Sequence, residues 1–192
     1  MWEQLEIEYK NLLTKAEFKK LQSFFSICND EFLTQENDYF DTPEFALKKM
    51  GCALRIRYKS GTYEMTLKEP REVGLLETNE MIKERERILF LKENIFPSGS
   101  IKNKLKQLGI PVEKVVHFGT LKTLRAEIPY AGGLLVLDKS YYLNKEDFEV
   151  EYEVDDPKYV ENFHKLLETL QIPQRKTDNK VQRFYKEMIK RV

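Results

Sequence analysis

Charged and apolar residues alternate along several stretches of this chain, and that alternation predicts strands. Glu6-Ile7-Glu8-Tyr9-Lys10 sets three charged side chains at every second position, and in a strand residues two apart share a face. Arg55-Ile56-Arg57, Thr66-Leu67-Lys68 and Glu149-Val150-Glu151-Tyr152-Glu153 keep the same beat. Any one of these runs fits the wet face of a sheet packed on one side. Together they are segregated by sign, acidic at Glu149, Glu151 and Glu153 and basic at Arg55 and Arg57, whereas solvated faces usually mix charge with Ser, Thr, Asn and Gln. The intervening Phe40, Ile56, Leu67, Val150 and Tyr152 supply an apolar face for helices outside, which points the charged face into a shared polar interior.

The elements follow in order. Residues 3–12 read as a strand, and Thr14, with Glu17 in capping-box position, opens a helix to about Ile27 whose buried stripe is Leu21, Phe24 and Phe25. A strand over about 32–41 ends at Thr42-Pro43, where Thr42 caps a short helix with Pro43 at its first position and Gly51 at its close. Residues 52–59 and 62–69 flank Ser60-Gly61, a two-residue hairpin signal. The charged stretch Glu77 to Phe90 reads as a helix with Ile82, Ile88 and Leu89 available for burial, and another runs from Ile101 to Leu108. Strands return at about 114–129, 133–143 and 147–155, separated by Gly132-Gly133 and Asn144-Lys145. Asp156-Pro157 opens a helix to about Leu170, and the last helix spans Asp178 to Ile189. With no repeat or linker in this order, residues 1–192 are expected to form a single α+β domain. Its predicted core is a closed or nearly closed eight-stranded antiparallel β-barrel, a size at which sheets curl or close, with helices packed outside.

At 192 residues the chain can bury a substantial core without disulfides or structural metal. Lys plus Arg equals Asp plus Glu at 32 each, which argues against a surface built for nucleic-acid polymers or acidic lipid; any strong field must come from local segregation. Cys28 and Cys52, each beside apolar residues, read as reduced core thiols of a cytoplasmic protein. No stretch approaches the ~20 apolar residues that span a bilayer, so no membrane partner is expected. With only His117 and His164, and no Walker loop, GxSxG elbow or CxxC pair, chemistry falls to carboxylates, basic groups or tyrosine.

An interior with one Arg/Lys wall and one Glu wall suits a metal-bound polyphosphate. Arginine forks take phosphate oxygens in pairs, lysines add compact charge, and clustered carboxylates hold a hard divalent cation that bridges to the same phosphates. The basic segments Lys83 to Arg87 and Lys186 to Arg191 are most simply solvated helix faces.

Glu6-Ile7-Glu8-Tyr9-Lys10 resembles the ExExK signature of the CYTH superfamily, the triphosphate tunnel metalloenzymes. Further matches come in family order: Tyr39-Phe40-Asp41-Thr42-Pro43, Leu54-Arg55-Ile56-Arg57, Thr66-Leu67-Lys68, Arg125, Leu137-Asp138 and Glu149-Val150-Glu151. The resemblance runs from residue 5 to about 183, and the layout is similar to the compact bacillus-type CYTH proteins. It implies an eight-stranded tunnel that binds a small triphosphate with Mg2+ or Mn2+. Glu6, Glu8, Glu149 and Glu151 are implied as metal ligands, with Asp138 near the metal or its waters. Arg55, Arg57, Lys68 and Arg125 are implied as phosphate contacts. Lys180, in Asn179-Lys180-Val181-Gln182-Arg183, matches the family's C-terminal lysine and also fits an exposed helix charge. Lys10 is implied as a phosphate contact or, with Tyr39, as part of a catalytic pair that activates the attacking water; Tyr39 also fits a buried tyrosine whose hydroxyl finds a partner. These residues are expected to line one cavity. Asp138 shares its strand face with Leu134 and Val136, so only the end of that strand is expected to reach polar space. Glu153 and Glu127 receive no role.

The leading expectation is metal-dependent hydrolysis of inorganic triphosphate or a small organic or nucleoside triphosphate. A class IV adenylate cyclase, in which a ribose oxygen replaces water as nucleophile, is the second, although no base-reading motif is present. A non-catalytic sensor of polyphosphate or nucleotide is the third, and the acidic set argues against it, because anion capture alone needs no carboxylates.

Overall fold

The computed structural model describes residues 1–190 and closes eight strands into a barrel. The strands are β1 (Trp2–Leu13), β2 (Leu33–Asp41), β3 (Ala53–Lys59), β4 (Thr62–Pro70), β5 (Leu75–Ile82), β6 (Val116–Tyr130), β7 (Gly133–Tyr142) and β8 (Lys145–Val154). Their order around the barrel is β1-β5-β4-β3-β2-β6-β7-β8. Six α-helices are present among the described residues: α1 (Lys15–Phe24), α2 (Ala46–Lys49), α3 (Glu84–Glu93), α4 (Ser100–Gln107), α5 (Val160–Thr169) and α6 (Lys180–Ile189). None of them is long and apolar enough to cross a membrane. The chain forms two compact units, one of Met1–Leu5 with Gln35–Leu121, the other of Glu6–Thr34 with the chain from Lys122 onward.

In the first unit, Ser60 (φ 49°) and Gly61 (φ 82°) both take the left-handed conformation that a type I′ turn demands, and the β3–β4 hairpin follows with Arg55 opposite Thr66 and Arg57 opposite Glu64. That register sends Leu54, Ile56, Met65 and Leu67 to one face, where they pack with Phe40, Leu47, Phe90, Ile101 and Leu105 of β2, α2, α3 and α4. Phe40 and Phe90 stack with ring centroids 4.4 Å apart. The opposite face carries Tyr39, Arg55, Arg57 and Lys68.

The periodicity misreads residues 77–82. Glu77 to Ile82 belong to β5, which pairs with β4 along its length, and the helix begins only at Glu84, capped by Glu86 accepting from the Lys83 amide at 2.9 Å. Glu and Met favour helix in isolation, but pairing with β4 overrides that weak preference and places Glu77 and Asn79 on the polar face. Phe90, rather than the exposed Ile88, is the buried anchor of α3. Arg87 is no solvated charge: it pairs with Asp38 at 2.7 Å and lies over the Tyr63 ring. Helix α2 starts at Ala46 instead of Pro43, because Asp41 accepts from the Leu47 and Lys48 amides while Thr42 accepts from Ala46.

In the second unit, the Thr14–Glu17 capping box forms as expected. Helix α1 ends at Phe24, before Ile27, and Phe24 is exposed while Leu21 is fully buried. Leu135, Leu137, Val150 and Tyr152 pack with Phe18, Leu21, Phe163, Leu166 and Leu167, so α1 and α5 cover the apolar face of β7 and β8. The tight turns fall one residue earlier than expected, at Ala131-Gly132 and Leu143-Asn144, where all four residues have positive φ. Gly133 is instead a strand residue whose added Cβ would meet the Glu153 carbonyl at 2.5 Å. Cys52 is buried, but Cys28 is exposed and so is not a core thiol. Of the basic segment at the C-terminus, Lys186 is exposed, and Arg191 lies outside the described residues.

Candidate active site

The polar face of the first unit is basic. Cross-strand pairing aligns Tyr39 with Arg55 and Thr66, Asn37 with Arg57 and Glu64, and Lys68 with Glu77. Directly paired residues share a face, so Arg55, Arg57 and Lys68 converge there and outnumber Glu64 and Glu77. Arg57 Nε donates to Asn37 Oδ1 at 3.0 Å. Glu77 Oε1 lies 2.5 Å from Lys68 Nζ and 4.0 Å from Arg55 Nη2, while its other oxygen accepts from Gln4 at 3.2 Å. Burial pushes the Glu77 carboxyl upward, but the Lys68 and Arg55 charges outweigh it and hold the group at about 2. Tyr39 is buried, its ring stacked on Phe118 at 6.1 Å.

The polar face of the second unit is acidic and closed by cations. Arg125, Asp138 and Glu149 align across β6, β7 and β8, and Lys10 stands opposite Glu151 and Glu8 opposite Glu153 on β1 and β8. Asp138, at the middle of its strand and fully buried, reaches polar space despite sharing a face with Leu134 and Val136. Arg125 grips it with two bonds, Nε–Oδ1 at 2.8 Å and Nη2–Oδ2 at 2.6 Å, and holds Glu151 Oε2 at 2.7 Å. Lys180 Nζ lies 2.8 Å from Asp138 Oδ2 and 3.0 Å from Glu149 Oε2 and also pairs with Glu151. It is therefore no exposed helix charge.

These contacts set the protonation states. Burial raises the Glu151 carboxyl, but Lys180, Arg125 and Lys10 more than reverse that and hold it well below the usual range. Burial alone would lower Lys10, but Glu8, at 2.5 Å, together with Glu151 and Glu149 raises it, so Lys10 stays a cation suited to phosphate and not to taking a proton. Glu153 is pushed up to about 7 by burial and by the charges of Glu151, Glu6 and Glu8, against the pull of Arg125. Glu127 is exposed.

Two participants escape sequence reasoning. Glu77 sits inside the segment misread as a helix. Arg183 holds Glu149 at 2.7 Å and Asp147 at 3.0 Å. Its spacing of three from Lys180 puts both on one face of α6, a signal available in the sequence.

The donor set of Asp138, Glu149 and Glu151 is all carboxylate oxygen, which suits a hard divalent ion. Among the described residues no three His, Cys, Asp or Glu side chains form a ready-made cage; here the carboxylates turn onto Arg125, Lys180 and Arg183. The chemistry of the donors fits a metal once those cations yield.

A family model for the CYTH domain matches residues 4–185. The chain belongs to the CYTH family. Among CYTH relatives, a Bacillus subtilis (strain 168) protein named "Putative triphosphatase YjbK" is 47% identical over 193 residues, covering 100% of both chains. A crystal structure of a Bacillus halodurans protein named a putative adenylate cyclase superposes with a TM-score of 0.93 at 44% identity, over 96% of this chain and 100% of that one. A Hippeastrum protein named a putative adenylyl cyclase shares the CYTH fold with a TM-score of 0.78 at 22% identity, over 95% and 96% of the two chains.

Proposed function

We propose that this CYTH protein is a divalent-metal-dependent triphosphatase acting on inorganic triphosphate or a small organic triphosphate, with residues 1–192 working as one domain. The observation that carries the proposal is the set of buried charges on β6–β8 and α6. Asp138, Glu149 and Glu151 are buried among Arg125, Lys180 and Arg183 in a place where well-packed apolar residues would be at least as stable. Charges kept at that cost point to a ligand of mixed polarity. The full-length relative named as a triphosphatase supports the same reading.

Glu6, Glu8, Asp138, Glu149 and Glu151 would hold Mg2+ or Mn2+, which when bound supplies positive charge to the phosphate oxygens. Arg55, Arg57 and Lys68 would bind and orient the chain of phosphates, with Lys10, Arg125 and Lys180 neutralising charge that moves toward the leaving group. Glu77 keeps Lys68 and Arg55 aimed. Tyr39 would orient the attacking water through its hydroxyl, since Lys10, held as a cation, has no capacity to accept its proton.

Cyclisation of a nucleoside triphosphate is the second reading, favoured by the name of the Bacillus halodurans relative. The two separate on products. Incubation with tripolyphosphate, thiamine triphosphate and ATP, with Mg2+ or Mn2+, is expected to release orthophosphate; pyrophosphate with a cyclic nucleotide would establish the cyclase instead, and binding without turnover would establish a sensor.

A further inference from the structure

Lys180 occupies the place among the carboxylates that a divalent ion would need. Its ammonium touches Asp138, Glu149 and Glu151 at once, and its side chain is only 12% exposed. Arg125 and Arg183 take the remaining oxygens of the same three groups. Three carboxylates thus face three cations in direct contact, and Arg183 and Arg125 reach Asp147 and Glu153 besides. A divalent ion would need the oxygens of Asp138, Glu149 and Glu151 that the Lys180 ammonium holds, and two cations on the same oxygens repel strongly in a space with little water to screen them. Those oxygens come free only when the ammonium is drawn elsewhere, as a polyanion would draw it.

We infer that Lys180 is a resident cation that keeps divalent metal out of the carboxylate cluster until a triphosphate draws its ammonium away. The inference rests on the reading of Asp138, Glu149 and Glu151 as metal ligands. Of the three cations, Lys180 is the one built to move. It is the first residue of α6, directly after the Asn179 cap. Its charge is a single point on a flexible stem, so it can pass from carboxylate to phosphate by rotating about side-chain bonds. Arg125 is fixed on a central strand by paired bonds to Asp138, and Arg183 is anchored at once to Glu149, Asp147 and the Asp178 carbonyl. Metal and triphosphate therefore bind with positive coupling, each raising the other's affinity by the same factor.

The test is Mn2+ binding to the full chain, read by calorimetry and by the Mn2+ spin-resonance signal at matched free Mn2+, with and without an imido-bridged tripolyphosphate that resists hydrolysis. The wild type is expected to bind Mn2+ weakly alone and at least about tenfold more tightly with the analogue, the scale set by removing one neighbouring buried charge. Lys180→Met is expected to bind Mn2+ alone at least about tenfold more tightly than the wild type and to gain little from the analogue. Lys180→Arg should still bind Mn2+ weakly alone but gain less from the analogue than the wild type, because a guanidinium fork is harder to draw off the carboxylates. Equal Mn2+ affinity of wild type and Lys180→Met without analogue overturns the inference. So does a wild type whose Mn2+ affinity ignores the analogue, a result that does not depend on any variant folding. If Mn2+ binds no form of the protein even with the analogue, the metal-ligand reading itself fails, and the inference falls with it.

Discussion

Lys68 and Glu77 face each other across β4 and β5 with Nζ 2.5 Å from Oε1, and the same oxygen lies 4.0 Å from Arg55 Nη2. One buried carboxylate thus organises two of the cations proposed to hold phosphate. Removing its charge should loosen both without removing either.

Glu77→Gln is therefore expected to raise the KM for tripolyphosphate by about tenfold, because the fixed direction of Lys68 and Arg55 is lost while their charge remains. Its effect on stability has a pH signature. The Glu77 carboxyl titrates at about 2 in the fold against an ordinary 4.5, so its contribution is complete above about 4.5 and fades as pH falls toward 2. Melting temperatures of wild type and Glu77→Gln should differ most at pH 7, draw together as pH falls below about 4.5 and converge only at about pH 2. A gap that stays constant across that range would show that Glu77 is not held ionised by its neighbours.

Glu149→Gln and Glu151→Gln each keep an oxygen for Lys180 and remove one negative charge from the proposed metal site. Turnover should fall by at least about a hundredfold, the upper end of what loss of an outer-shell partner costs at a metal site. Circular dichroism should show an unchanged fold. Turnover at wild-type levels in both variants would remove these residues from the site.

Arg55→Ala and Arg57→Ala should each lower kcat/KM by about a hundred- to a thousandfold, since both are proposed to hold phosphate oxygens whose charge changes during transfer. Tyr39→Phe keeps the ring stacked on Phe118 and removes only the hydroxyl. If that hydroxyl orients the attacking water, kcat should drop by about a hundredfold with KM little changed. A wild-type kcat would make Tyr39 a packing residue.

Most of the barrel is legible because alternation survives wherever one strand face meets a core and the other carries charge, as in Arg55-Ile56-Arg57 and Glu149-Val150-Glu151. β5 is not legible, because its polar-face residues Glu77 and Asn79 are neither charged alike nor separated by strongly apolar neighbours, and only pairing with β4 makes them a strand. Glu77 is lost with it. The carboxylates and Lys180 can be named from their order in the chain. That Asp138 is fully buried in the grip of Arg125, and that Arg183 joins the cluster, depends on the register of β6–β8 and on where α6 docks within its unit. Neither is written in local pattern.

Asp138, Glu149 and Glu151 are proposed to serve a divalent metal that promotes triphosphate hydrolysis. The most direct measurement is orthophosphate release from tripolyphosphate by the full chain, with Mg2+ or Mn2+ and then with excess chelator, for wild type and Glu151→Gln in parallel. Steady release of orthophosphate and pyrophosphate is expected, abolished by chelator and lost in Glu151→Gln. Full activity in excess chelator, or no release from tripolyphosphate or any other triphosphate tested with either metal, would contradict the proposal.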